Sequence, residues 1–162
     1  MNARLWVLGL LLAIPLSPSV QAASAGELAL TIDSARINPA PASAPVRAGF
    51  AQLHNPSTHE VVIDAMRSPT FAKVELHEMH VRDGLMQMRP VAVLRIPAQQ
   101  SASLAPGGLH LMLYQPKSVL ERGDRAHIEF LSGATVVGSA EFIVAAPEDL
   151  PKAAATASES MD

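Results

Sequence analysis

The chain has 162 residues, with 12 Lys and Arg against 15 Asp and Glu, a formal net charge of −3. That length allows about one domain, and the acidic balance excludes the basic footprint that nucleic-acid binding requires. There is no cysteine, so disulfides, zinc–thiolate sites, iron–sulfur clusters and cysteine nucleophiles are all excluded.

The first 22 residues read as a secretory signal peptide. Arg4 supplies a positive start, Leu5–Leu16 is an apolar run of 12 residues, and Val20-Gln21-Ala22 is a small-x-small cleavage signal. The run is too short to span a bilayer, which takes about 20 residues. No Cys follows the cleavage site, so no lipid anchor is expected there, nor any stable membrane insertion. The protein is expected in the periplasm, as a monomer.

From residue 23 to 144 the pattern is short apolar or alternating runs broken by Pro, Gly, Asn and Asp. Glu27–Asp33 alternates at period two, as a half-buried strand does. A proline-rich loop, Asn38–Val46, cannot hold a ladder. Further strand-like runs are Arg47–Leu53, Glu60–Met66, Phe71–Met79, Leu85–Met88, Val91–Ile96, Ser101–Leu104, Leu109–Tyr114, Arg125–Leu131 and Gly138–Val144. Asp83-Gly84 marks a hairpin turn, and Pro116–Glu121 is expected to form one helical turn. Eight or nine short strands without βαβ alternation predict an all-β sandwich. From Ala145 to 162 the composition turns to Ala, Pro, Ser and acid, which predicts a disordered tail.

Chemistry-bearing residues cluster between 77 and 112: His77, Met79, His80, Met86, Met88, His110 and Met112. In Leu109-His110-Leu111-Met112-Leu113 the side chains alternate, so His110 and Met112 share one face and the leucines face the core. Thioether sulfur is a soft neutral donor that favours Cu(I), whereas calcium and magnesium want oxygen. Two His and two Met add no charge, so they favour Cu(I) over the harder Cu(II). Imidazole binds only when neutral, so affinity weakens below about pH 6.5.

The segment Val74–Val91, with His77, Gly84, Met88 and Pro90, followed by Pro106-Gly-Gly-Leu-His110-Leu-Met112, resembles the PCu(A)C family of periplasmic copper chaperones. That family's pattern is His, ten residues, Met, twenty-one residues, His-x-Met. Residues 78–87 and 89–109 reproduce both spacings. The resemblance implies a cupredoxin-like Greek-key β-sandwich over most of residues 27–144, with Cu(I) held by His77, Met88, His110 and Met112. It also implies a role in assembling cytochrome oxidase copper centres, with an oxidase subunit or its assembly factors as partner. Some relatives carry a second copper site in a His/Met-rich tail. Here the tail has only Met161, so no such site is expected.

Other residues have plainer readings. Met86 is expected to fill the core, His80 to sit solvated in a turn, and Glu75 and Glu78 to solvate a strand. Met79 is left open, and His54, His59 and His127 read as surface residues. His77-Glu78-Met79-His80 is not a metalloprotease motif, because the two His are three apart rather than four. Blue-copper electron transfer needs a Cys thiolate, and no nucleophile elbow marks a hydrolase. A non-enzymatic copper carrier is therefore expected, the alternative being a metal-free periplasmic β-sandwich that works as an interaction domain.

Overall fold

The computed structural model describes residues 28–82 and 84–149. The expected signal peptide, Asp83 of the hairpin turn and the tail beyond Asp149 lie outside them. The described chain is built from eleven strands: β1 (Thr31–Ile37), β2 (Val46–His54), β3 (Val61–Ile63), β4 (Ala65–Arg67), β5 (Phe71–Arg82), β6 (Leu85–Pro90), β7 (Leu94–Ile96), β8 (Ser101–Leu104), β9 (Leu109–Pro116), β10 (Arg125–Ser132) and β11 (Thr135–Val144). Among the described residues no helix is long and apolar enough to cross a membrane.

Nine strands form one hydrogen-bonded series, β4-β10-β11-β1-β2-β8-β9-β5-β6, and β3 pairs with β7 in a separate ribbon. The series folds over on itself. Inward residues of β10 and β11 (Ile128, Phe130, Phe142, Val144) join those of β2, β5 and β9 (Leu53, Val74, Leu76, Leu111, Leu113) in a single buried cluster. This is the expected cupredoxin-like sandwich. β1 links its halves, pairing antiparallel with β2 and parallel with β11. Its ladder shifts between Asp33 and Arg36, beside Ser34 at φ 52°, as a bulge does when strands bend between layers.

Several boundaries differ from the sequence reading. The run Glu60–Met66 is two strands, split at Asp64. There the Asp64 amide donates to Leu131 O and its carboxylate accepts from Gly133 N, so the chain switches from the ribbon to the main sheet. Pro116–Glu121 makes no helical turn. Pro116 ends β9, Leu120 is buried, and its carbonyl accepts from the Arg47 guanidinium at 3.1 Å. The compositional change at Ala145 falls inside the folded part. Ala145 and Ala146 are buried, Ala145 N donates to Ile37 O, and Pro147–Asp149 form a single 3-10 turn tied back by Arg122.

Asn55 fastens one end of the sandwich. It is wholly buried, and its amide nitrogen donates to His59 O, Ile96 O and Pro97 O at 2.7, 2.9 and 3.1 Å. Its side-chain oxygen accepts from Ser57 N and Oγ. Truncation would strand these groups in a dry interior at about 1–3 kcal/mol each when unsatisfied. Asn55→Ala is therefore expected to lower unfolding stability by on the order of 3 kcal/mol, read from the urea midpoint at unchanged m-value.

Candidate metal centre

The site is built by alternation on three neighbouring strands. β9 inserts Leu111 and Leu113, both fully buried, into the core, which turns His110 and Met112 to the opposite face. β5 pairs antiparallel with β9 so that His77 stands opposite His110, Glu75 opposite Met112 and Leu76 opposite Leu111. β6 continues the sheet, with Met88 opposite Met79 and Met86 opposite Val81. Cross-strand partners share a face, so Glu75, His77, Met79, Met86, Met88, His110 and Met112 all lie on one side. On the other flank β2 sets Ala48 opposite Met112. Gly49 makes that pairing close, because a Cβ there would meet Leu111 Cβ at 3.3 Å.

Met88, His110 and Met112 line a shallow cavity of about 210 Å³ together with Met79, Phe50 and Pro106. His77 is outside that lining and joins the group across the strand pair, its ring centroid 6.2 Å from that of His110. Two imidazoles holding one ion at about 2 Å per nitrogen have centroids about 5–6 Å apart, so a small movement would let both rings share one ion. His110 is 4% exposed and Met88 48%. The set thus runs from a buried imidazole to a thioether open to solvent.

Hydrogen bonding distinguishes the ring nitrogens. His110 Nδ1 lies 3.0 Å from Gly108 O. A carbonyl only accepts, so Nδ1 carries the hydrogen and Nε2 keeps a free lone pair. His77 Nε2 lies 3.2 Å from Glu75 Oε2, and His77 Nδ1 is buried without a hydrogen-bond partner. A buried imidazole nitrogen without a partner carries a desolvation cost, which a metal ion would relieve. Phe50 of the cavity wall lies between His110, whose ring is tilted to it at a centroid distance of 6.5 Å, and the Arg36 guanidinium, 4.4 Å from its ring centroid. Burial lowers the Arg36 pKa from its usual value, partly offset by Glu148.

Three sequence readings change here. Met86 is 59% exposed and does not fill the core. His80 lies within β5, opposite Gln87, on the face away from His77, and not in a turn. Glu75 and Glu78 are ion-paired, Glu75 with Lys73 at 2.6 Å and Glu78 with Arg89 at 2.8 Å. Met79, left open by the sequence, stands beside Met88 as a third thioether of the cavity. His127 is held between Glu141 and Glu129, and the Glu141 contact appears only once β10 and β11 are in register. Among the described residues no three His, Asp or Glu are placed to hold a metal, so an ion on this face would need the thioethers.

Fold and site together define a cupredoxin-like β-sandwich with a His/Met face. The chain belongs to the family described as "Putative lipoprotein LpqE-like", which it matches over residues 30–136. A relative from Leifsonia xyli subsp. xyli, described as a "Putative lipoprotein", is 31% identical over 91 residues, which make up 54% of this chain and 55% of that protein. The match thus spans only about half of that relative's length. Among solved structures, a copper-bound PCuAC domain from PmoF2 superposes with a TM-score of 0.59 at 16% identity, covering 74% of this chain and 94% of that one. Apo-DR1885 from Deinococcus radiodurans gives 0.56 at 23% identity, covering 89% and 95%. The CuI-DR1885 structure gives 0.53 at 24%, covering 78% and 85%. At these identities the likeness establishes the fold.

Because Met88 and Met112 face away from the core, replacing either by Leu is a volume-conserving change that costs less than about 1.5 kcal/mol. Leu111→Ala, one residue away on the core face, is expected to cost about 2–5 kcal/mol. Parallel urea titrations of the three variants check this division between site and core.

Proposed function

We propose that the protein is a periplasmic Cu(I) carrier that binds the ion through His77, Met88, His110 and Met112 and delivers it for cytochrome oxidase assembly. The observation that carries this reading is the register that sets His77 opposite His110, with both methionines on the same face. The chemistry of the donors points the same way. Two neutral imidazoles and two thioethers leave the ion its single charge, and soft sulfur favours Cu(I) over Cu(II). The likeness in fold to the copper-bound PCuAC domain from PmoF2 and to CuI-DR1885 supports copper as the cargo. The signal-like leader and the lipoprotein relatives support an exported, envelope-associated protein.

A carrier must release its ion as well as hold it. Met88, half exposed on β6, gives an incoming donor a place to attack, while His110 keeps its grip from the interior. Copper can then pass by stepwise ligand exchange, with no thiolate and no redox step. Reduction of an oxidase disulfide to thiols would need a separate reductant, since the chain has no cysteine.

Apo protein is expected to take one equivalent of Cu(I) from a competing chelator without an intense visible band. His110→Ala combined with Met112→Ala should abolish uptake while the far-UV spectrum is kept. Equal uptake by the double variant would reject the ligand set, and a wild-type protein indifferent to Cu(I) would reject the carrier in favour of a metal-free interaction domain.

A further inference from the structure

Glu75 sits two residues before His77 on β5, on the metal-site face, and two side chains converge on it. Lys73 Nζ is 2.6 Å from Oε1 and His77 Nε2 is 3.2 Å from Oε2. Tyr114 stands opposite Lys73 on β9, its ring centroid 5.7 Å from Lys73 Nζ. The ion pair of Glu75 with Lys73 leaves the carboxylate an acceptor towards His77.

The consequence falls on His77. An ionised carboxylate only accepts, so the nitrogen facing it must carry the hydrogen, and a neutral imidazole has one N–H. Nε2 is therefore the donor, and the buried, unpartnered Nδ1 holds the lone pair. His110 is fixed in the opposite sense, because its Nδ1 faces Gly108 O at 3.0 Å. Metal-binding imidazoles are commonly oriented through the nitrogen that does not bind the ion.

We infer that Glu75 is the positioning residue of the copper site: it holds His77 as the Nε2–H tautomer, so that the two imidazoles offer different nitrogens, Nδ1 from His77 and Nε2 from His110. This rests on the carrier reading for its use but not for its existence, since the tautomer is set in the copper-free protein. Lys73 pairs with the other carboxylate oxygen of Glu75, and a carboxylate beside the ring supports the basicity of the donor nitrogen.

Two-bond ¹H–¹⁵N correlation spectra of copper-free protein, above the imidazole titration range, test this directly. The expected pattern is a pyrrole-like Nε2 and pyridine-like Nδ1 for His77, and the reverse for His110. On adding Cu(I), the His77 Nδ1 resonance should move. Glu75→Gln keeps an oxygen acceptor and is expected to retain both the pattern and the affinity within about threefold. Glu75→Leu should mix the His77 tautomers and weaken Cu(I) binding about 10–100-fold, the range typical for losing such a partner. Glu78→Leu, whose native carboxylate pairs with Arg89, should do neither. A His77 with the hydrogen on Nδ1, or a Glu75→Leu variant with unchanged spectra and affinity, would overturn the inference. Failure of the wild type to take up Cu(I) would overturn the carrier reading instead, and the copper-free spectra would still decide the role of Glu75.

Discussion

The antiparallel register of β5 against β9 is the constraint on which the rest of the site depends. It sets His77 opposite His110 on one face and Leu76 opposite Leu111 on the other. Because strand side chains alternate with period two, a slip of one residue would bury the imidazoles and expose the leucines. The core thus chooses the register and the donors follow. Val74, Leu76, Leu111 and Leu113 are each no more than 7% exposed, and losing their burial would cost several kcal/mol in sum. Ion binding therefore need not supply the free energy that aligns the two histidines. Gly49 extends the same logic to β2, whose close approach to Leu111 supports β9 from the other flank.

Much of this was readable in the amino-acid sequence because it is written at period two or in turn residues. The Leu109–Leu113 alternation places His110 and Met112 without any knowledge of the partner strand, and each predicted run overlaps an observed strand, though most strands extend one to three residues beyond it and Glu60–Met66 divides. The division at Asp64 is invisible locally, since it depends on Asp64 reaching Gly133, far along the chain. The missing helical turn after Pro116 has the same origin. Leu120 is drawn into the core and its carbonyl to Arg47, and a local propensity cannot foresee either contact.

Pairing across strands is the other thing a single sequence does not state. Met79 and Met88 are nine positions apart yet directly opposed, so the third thioether of the cavity emerges only with the hairpin register. Glu75 looked like a solvated residue because acidic side chains on strands usually are. Its contacts with His77 and Lys73 were available in principle, as residues two apart on a strand share a face. Met86 was misjudged for the converse reason, since an apolar residue beside Leu85 suggests burial, while β6 lies at the end of the strand series and every residue in it is exposed.

That terminal position of β6 has a kinetic meaning. Strands at the margin of a sheet open at a smaller free-energy cost than those in the core, and Met88 rides on the marginal strand while His110 and Met112 ride on a central one. In the proposed carrier one sulfur can therefore leave by local fraying of the hairpin, with the other donors held in place and the sandwich intact. The residence time of an ion on this face would then report how often β6 lifts away, a quantity set by the hairpin's few hydrogen bonds and not by the stability of the whole domain.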